Sequence, residues 1–298
     1  MKKKSKLKIT SMPRFVKMTV MALMILIMIV MTAVTVLTHI TTAFNGEKEK
    51  SVISSNPADH IKDEATIVAE NQEAAEALTK DSVESIKSRL RSGDTAGIKV
   101  VFLTFDDGPS ENTGEVLDIL NTSGVKATFF TTRHTGVQAE TFYRRIVDEG
   151  HTLANHTCSH DFALYSNPEA FYADIEVLDA YQRQVTGLTE TSHIFRFPGG
   201  SANANETCAL GIVKQGFNYA DWNVTSGDGS ANPPTREIVA KNIIEGCRKY
   251  DVSVVLCHAE IKPDTRAALA TVIKTLKAEG YTFLAMENDF TYPRQLEI

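Results

Sequence analysis

From residue 99 onward, short apolar runs alternate with longer stretches in which apolar residues recur at helical spacing. The runs predict seven strands: Lys99–Phe105, Ala127–Phe130, His151–Asn155, Ile194–Phe197, Phe217–Asn223, Ser253–Cys257 and Thr282–Ala285. The stretches between them predict helices at 113–123, 138–149, 168–186, 204–215, 235–249 and 266–279. Just past five of these helices stand glycines, where left-handed C-caps are expected: Gly124, Gly150, Gly187, Gly216 and Gly280.

The repeated alternation of strand and helix indicates parallel strands joined by helical crossovers. Residues 99–290 suit one compact βα barrel better than two domains. An open, doubly wound α/β sheet is the alternative.

The N-terminal part has a different pattern. Between Met18 and Leu37 there is no charged residue, and a run of about 20 apolar residues spans a bilayer as a helix. A cleaved signal peptide is the alternative, although its apolar core is usually only about 7–15 residues long. Basic residues before the run and none just after it place the N-terminus in the cytoplasm.

The sequence therefore predicts a basic cytoplasmic segment at 1–17 and a transmembrane signal-anchor helix at 18–40. Residues 41–97 are polar and rich in Glu, Lys, Ser and Ala, with a thin apolar stripe between Ala65 and Arg91. They predict a polar, partly helical stalk. The globular domain at 98–298 is then expected outside the cell, on a single-pass membrane protein.

Charge is unevenly distributed along the chain. Seven basic residues and no acid lie within residues 1–17 of a chain whose net charge is −6, so the remainder carries −13. An acidic remainder argues against nucleic acid as a partner and favours a neutral substrate, or one that becomes positive as product.

The chain has four cysteines, Cys158, Cys208, Cys247 and Cys257. An even number outside the cell permits two disulfides, and the alternative is four small buried side chains. Cys208 and Cys247 lie on predicted helices and are a candidate pair.

Residues with polar or aromatic side chains lie at or just after the ends of five of the predicted strands. These residues are Asp106 and Asp107, His156, Arg196, the pair Asp221 and Trp222, and His258. In βα barrels functional groups cluster at the carboxyl ends of the strands, so the five groups are expected on one face.

Asp106 and Asp107 precede a Gly-Pro turn that lets both carboxylates approach one site, where a cation relieves their repulsion. His156 and His160 are four residues apart and share one side of a helical turn. Two histidines and one carboxylate form a typical catalytic zinc site, and Co, Ni or Mn accept the same donors. Taken singly, a surface turn and a coincidental histidine pair are the alternatives.

Three residues are candidates for the acid–base chemistry. Zinc proteases carry a glutamate beside their first histidine, but Thr157 fills that position, so Asp106 is the candidate base. Arg196 is suited to orienting a carboxylate, although a surface salt bridge is the alternative. His258 emerges from an apolar strand and is a candidate general acid, with a hydrogen-bonded core histidine as the alternative.

Taken in order, four segments resemble the motifs of the polysaccharide deacetylase family, also called the NodB-homology or carbohydrate esterase family 4 domain. They are Thr104–Pro109, His156–His160, Arg196–Gly200 and Val255–His258, and the resemblance covers about residues 98–290. It implies a distorted (β/α)7 barrel that removes N-acetyl groups from an amino-sugar polymer with a divalent metal.

The resemblance also implies a role for each matched residue. Asp106 is the base that activates water, and Arg196 orients it. Asp107, His156 and His160 hold the metal. His258 protonates the leaving amine, tuned by Asp228. Leu256 lines the pocket for the acetyl methyl group, and the backbone N–H of Gly199, after Pro198, donates to the oxyanion. Trp222 is a candidate for stacking on a sugar ring, with a core position as the alternative.

The chain departs from the family at four positions. Family members often read W-x-V-D-S-x-D-W in the fourth motif, where Thr225 and Gly229 replace an acid and a tryptophan. Gly199 stands where a tyrosine is common, and Ala259 where an aspartate is common.

The predicted anchor suggests the polymer, because it places the site beside the cell wall. Peptidoglycan N-acetylglucosamine is therefore the expected substrate. Chitooligosaccharide, N-acetylmuramic acid and xylan are the alternative substrates. A catalytically silent wall-binding module is the alternative from another class, suggested by Thr225 and Gly229.

Overall fold

The computed structural model describes residues 82–298. The predicted cytoplasmic segment, the predicted transmembrane helix at 18–40 and most of the predicted stalk lie outside these residues. Within residues 82–298 no helix has the length and apolar character that crossing a membrane requires.

Eight parallel strands form one curled sheet in the described part of the chain. They are β1 Val100–Asp106, β2 Thr128–Thr131, β3 Thr152–Asn155, β4 Ile194–Phe195, β5 Asn218–Tyr219, β6 Val224–Thr225, β7 Val252–Cys257 and β8 Thr282–Phe283. The order is β5-β4-β3-β2-β1-β7-β6, and β8 pairs with the start of β1. From β1 to β5, and again from β6 to β7, neighbours in the chain are neighbours in the sheet, as in a barrel and unlike a doubly wound sheet, whereas β5 and β6 lie at opposite edges.

Helices cross over between the strands. Residues 82–92 form α1, followed by α2 Thr113–Thr122, α3 Val137–Asp148, α4 Pro168–Thr186, α5 Glu206–Lys214, α6 Arg236–Cys247 and α7 Pro263–Ala278. Two 3-10 helices, Phe162–Ser166 and Ser201–Asn203, lie at the carboxyl ends of strands, and the sequence pattern did not predict them. β5 and β6 are the two edge strands and do not pair with each other, so the sheet is a curled half-barrel rather than a closed ring.

The central strand β1 is buried along its whole length, and its two faces pack differently. Val101, Leu103 and Phe105 belong to the core cluster shared with the outer helices. Val100 and Phe102 belong to a second cluster inside the curl of the sheet. Side chains alternate along a strand, so Asp106 lies on this inner face at the carboxyl end of β1.

The prediction of a single strand at Phe217–Asn223 is wrong. The segment forms the end of one edge strand, β5, and the approach to the other, β6. Between them the backbone N–H of Asp221 donates to Pro293 O at 2.9 Å instead of to a neighbouring strand. The C-terminal tail therefore supplies the hydrogen bond in the gap between the two sheet edges.

The predicted glycine caps are confirmed, whereas the candidate disulfide is not. The five glycines past helix ends all adopt positive φ, between 60° and 85°. The four cysteines are free. Cys208 and Cys247 belong to different core clusters, so the candidate disulfide between them is wrong.

The helical residues 82–92 pack on the globular fold. Leu90 is buried, and Lys87 and Arg91 each form a 2.6 Å ion pair with Glu287. The described part of the predicted stalk, residues 82–97, includes this helix, and the boundary at residue 97 stays a prediction.

Candidate active site

The turn after β1 brings two neighbouring carboxylates to one place. Asp107 adopts a left-handed backbone conformation with φ 75°, and its N–H donates to Phe130 O on β2 at 3.1 Å. Asp107 Oδ1 lies 3.6 Å and Asp106 Oδ2 lies 3.8 Å from His156 Nε2. Both side chains therefore face the same histidine.

The segment from His156 to His160 is an irregular loop, so the prediction that it is a helical turn is wrong. Thr157 and His160 have φ of 66° and 56°, which no right-handed helix contains. Polar side chains hold this backbone. Asn155 Oδ1 accepts from Thr157 N at 2.9 Å, and Thr157 Oγ1 accepts from His160 N at 3.0 Å. Asp174 on α4 accepts from the two intervening N–H groups.

The loop nevertheless brings the two histidines together with Asp107. One ligand atom from each of Asp107, His156 and His160 lies within 4.8 Å of the other two. Asp107 Oδ1 is buried and accepts no hydrogen bond, although His160 Nε2 is only 3.3 Å away. A carboxylate oxygen without a donor, beside two imidazole nitrogens, fits a divalent cation of the zinc type.

The state of His156 also suits a metal ligand. Its Nδ1 lies 2.7 Å from Arg196 O, so that nitrogen carries the proton and the lone pair of Nε2 faces Asp107. Burial lowers the pKa of His156 to about 3 and outweighs the charge of Asp107, which acts in the opposite direction. The ring is therefore neutral at physiological pH.

Arg196 is fully buried and holds Asp106. Its Nη1 donates to Asp106 Oδ1 at 2.8 Å and to Thr104 Oγ1 at 2.7 Å. Its Nε and Nη2 donate to the carbonyl groups of Ala220 and Asp221. Burial raises the pKa of Asp106, while the charge of Arg196 opposes that rise. The second oxygen, Oδ2, stays on the side of His156.

His258 and Asp228 form a hydrogen-bonded pair on the other side of Asp107. Asp228 Oδ1 lies 2.8 Å from His258 Nδ1, and His258 Nε2 lies 3.9 Å from Asp107 Oδ2. Asp228 Oδ2 accepts from His258 N and from Thr265 Oγ1, both at 2.8 Å, which fixes the carboxylate. Burial lowers the pKa of His258, but the hydrogen bond to Asp228 and the nearby carboxylates outweigh it, so the pKa is raised.

Comparison with known proteins identifies the family of this chain. A sequence model described as polysaccharide deacetylase matches residues 93–219. A putative polysaccharide deacetylase, YheN, from Bacillus subtilis is 30% identical over 71% of this chain and 75% of its own length. The chain belongs to the polysaccharide deacetylase family. It is a hydrolase of the deacetylase class.

Two further relatives are informative. A peptidoglycan-N-acetylglucosamine deacetylase from Bacillus cereus is 31% identical over 65% of this chain and 72% of its own length. The catalytic domain of a peptidoglycan N-acetylglucosamine deacetylase from Eubacterium rectale has 35% identity and a TM-score of 0.61, covering 68% of this chain and 96% of that one. The half-barrel is thus the fold of solved polysaccharide deacetylases.

The remaining predicted site residues lie on β7 and on the segments that follow β4 and β5. Leu256 is buried on β7, and the half-buried Trp222 lies beside the Arg196 guanidinium, 5.7 Å from carbon to ring centre. Pro198 O accepts from Tyr165 Oη at 2.8 Å. Within residues 82–298 the Gly199 N–H makes no hydrogen bond, so it is free to donate to a substrate.

The two departures of the fourth motif from the family lie at exposed positions. Gly229 is exposed, and a Cβ added there would lie 3.3 Å from His258 Cε1. Thr225 is exposed as well, and its hydroxyl accepts from Gly227 N at 3.0 Å. These two departures from the family leave the His258–Asp228 pair intact.

Glu260 is a buried carboxyl group at the site that sequence reasoning missed. Its Oε1 accepts from Thr113 Oγ1 at 3.0 Å, and its Oε2 has no partner. A Cβ on Gly108 would lie 1.3 Å from Oε2, so this carboxyl lies directly against the turn after Asp107. Burial raises the pKa of Glu260 to about 8. The one sequence signal that could have indicated Glu260 as a site residue is its position two residues after His258.

Proposed function

We propose that this chain is a metal-dependent N-deacetylase of peptidoglycan N-acetylglucosamine, held on the outer side of the cell membrane by its N-terminal helix. One observation carries the proposal. The donor atoms of Asp107, His156 and His160 lie within 4.8 Å of one another, and Asp106 and His258 each approach within 4 Å of a ligand side chain.

The three ligands suit a divalent ion, zinc first, with cobalt, nickel or manganese as alternatives. When bound, such an ion polarises the acetyl carbonyl and lowers the pKa of a water molecule.

The protein side chains then divide the proton transfers. Asp106, oriented by Arg196, takes a proton from water as the water oxygen bonds to the acetyl carbon. The carbonyl oxygen becomes an oxyanion, and the unbonded Gly199 N–H is the candidate donor to it. His258, oriented by Asp228, protonates the sugar nitrogen as the carbon–nitrogen bond breaks. The products are acetate and a free amine.

One comparison and one prediction from the sequence favour peptidoglycan as the polymer. Relatives from Bacillus cereus and Listeria monocytogenes, each 31% identical, are named peptidoglycan-N-acetylglucosamine deacetylases. The predicted helix at 18–40 would hold the site next to the cell wall. The acidic remainder of the chain also suits an amine product, which is positively charged.

The test is acetate release by the full chain loaded with zinc or cobalt. Defined glycans that contain N-acetylglucosamine and N-acetylmuramic acid are the substrates, with chitooligosaccharide and acetylxylan in parallel. Mass spectrometry of the products is expected to find the loss of one acetyl group, from N-acetylglucosamine. Loss from muramic acid or xylan would reassign the substrate. Binding without turnover, unchanged in Asp106→Ala, would indicate a wall-binding module instead.

A further inference from the structure

Phe162 is an exposed aromatic side chain at the mouth of the site. It begins the 3-10 helix Phe162–Ser166, and 49% of it is exposed. Among the large hydrophobic side chains exposed in residues 82–298, only Phe162 and Tyr250 are aromatic. The Phe162 ring centre lies 5.4 Å from the ring centre of His160, with the two planes at 83°.

The backbone opposite Phe162 is shaped to admit its ring. Gly199 has φ 72°, and a Cβ added there would lie 2.7 Å from Phe162 Cε1. At Gly200 a Cβ would lie 2.8 Å from Gln295 Oε1 and 3.0 Å from Trp222 Cη2. Two glycines in succession therefore allow side chains of other segments, Phe162 among them, to lie against the turn after β4.

Neighbouring groups fix the orientation of Phe162. The Tyr165 ring lies 6.2 Å away at 89°, and the Tyr165 hydroxyl donates to Pro198 O at 2.8 Å. Asp161 Oδ1 accepts from Ala163 N at 2.9 Å and caps the 3-10 helix. A hydrophobic ring that is braced in this way and still half exposed can offer a fixed apolar surface to a ligand.

We propose that Phe162 is a specificity-determining residue, on which a pyranose ring next to the reacting sugar stacks. The inference rests on the proposed function and deepens it. A pyranose ring presents an apolar face of C–H groups, which packs against an aromatic face. The ring of Phe162 adjoins a candidate metal ligand, so a neighbouring sugar of the bound glycan lies within its reach.

The experiment compares parent, Phe162→Leu and Phe162→Trp as metal-loaded full chains. Leucine keeps an apolar side chain beside His160 but removes the flat ring. Covering the exposed half of a phenylalanine corresponds to roughly a four- to tenfold change in affinity. Because leucine retains part of that apolar area, we expect Phe162→Leu to raise KM for the N-acetylglucosamine tetramer by up to about that factor with kcat unchanged, the signature of lost uniform binding. Phe162→Trp keeps the parent KM.

Two controls separate stacking from damage to the site. Hydrolysis of 4-nitrophenyl acetate, which carries an acetyl group but no sugar, is expected to be unchanged in Phe162→Leu, as is the bound metal per chain. Tyr250→Leu removes the other exposed aromatic and is expected to leave KM unchanged.

The proposal is overturned if Phe162→Leu keeps the parent KM for the tetramer, or loses tetramer and ester turnover equally. If the parent releases no acetate, the proposed function fails on its own. Calorimetry of tetramer binding to parent and Phe162→Leu then still tests the stacking surface, and equal affinities would reject it.

Discussion

Replacing the buried Arg196 by methionine should cost more stability than any loss of packing explains. Methionine keeps an apolar stem near Phe130, whose ring centre lies 4.0 Å from the guanidinium carbon. It removes the donors to Thr104, Asp106, Ala220 and Asp221. Asp106, only 3% exposed, is left without its cation.

Breaking a buried ion pair by removing one partner costs about 3–5 kcal/mol, because the remaining charge is uncompensated. For a domain of this size that corresponds to a fall in Tm of roughly 10 °C. Asp106→Asn removes the charge that needs compensation, so the double variant should be less destabilised than the sum of the two single variants. We expect a coupling of at least about 1.5 kcal/mol.

Urea unfolding of the metal-free full chain at pH 7 measures the free energy of unfolding of the parent, the two single variants and the double variant. Arg294 is the matched control, because its guanidinium also stacks on a ring, that of Tyr219, at 4.0 Å, but hydrogen-bonds only uncharged groups. Arg294→Met should cost about 1 kcal/mol or less. Additivity of the two single variants within about 0.5 kcal/mol would refute the reasoning that Arg196 acts by compensating Asp106.

Three further predictions follow from the site. Asp228→Asn removes the group that raises the pKa of His258, so the alkaline limb of the pH–kcat profile should move to lower pH; an unmoved limb would mean that another group supplies the proton. The folded-state pKa of Glu260 is raised to about 8 from 4.5, so its contribution to stability is complete below pH 4.5 and is lost as pH rises towards 8. In that window the free energy of unfolding of the parent, measured with urea, should fall by about 1.4 kcal/mol per pH unit, and Glu260→Gln should abolish this fall. Equal slopes in the parent and in Glu260→Gln would contradict the prediction. Gly108→Ala, whose Cβ overlaps Glu260, should destabilise the protein by about 1–3 kcal/mol, and adding Glu260→Ala should restore most of the loss.

Much of the fold could be predicted from the sequence because its signals are local. The apolar run at residues 100–105 is buried on both faces of the central strand, and Gly187 ends α4 with φ 78°. The order of the segments also predicted on which edge of the sheet the site lies, because polar groups at the carboxyl ends of parallel strands meet at one edge. Residue type and this placement predicted two histidines and one carboxylate as metal ligands, and the resemblance to the polysaccharide deacetylases implied that the carboxylate is Asp107.

The details that failed depend on contacts distant in sequence. The loop from His156 to His160 takes its shape from Asp174, and spacing alone suggested a helical turn. The strand predicted at Phe217–Asn223 is interrupted because Pro293 supplies a hydrogen bond. Glu260 belongs to none of the four motifs, and only the structure shows that its carboxyl group lies against Gly108.

The central claim is that one divalent metal, held by Asp107, His156 and His160, enables N-acetyl hydrolysis. Titrating zinc into the metal-free full chain while following acetate release tests it most directly. We predict that activity rises linearly and reaches its maximum at one zinc per chain, and that His160→Ala weakens zinc binding and activity together. Undiminished acetate release from the metal-free chain, or normal zinc binding by His160→Ala, would contradict the claim.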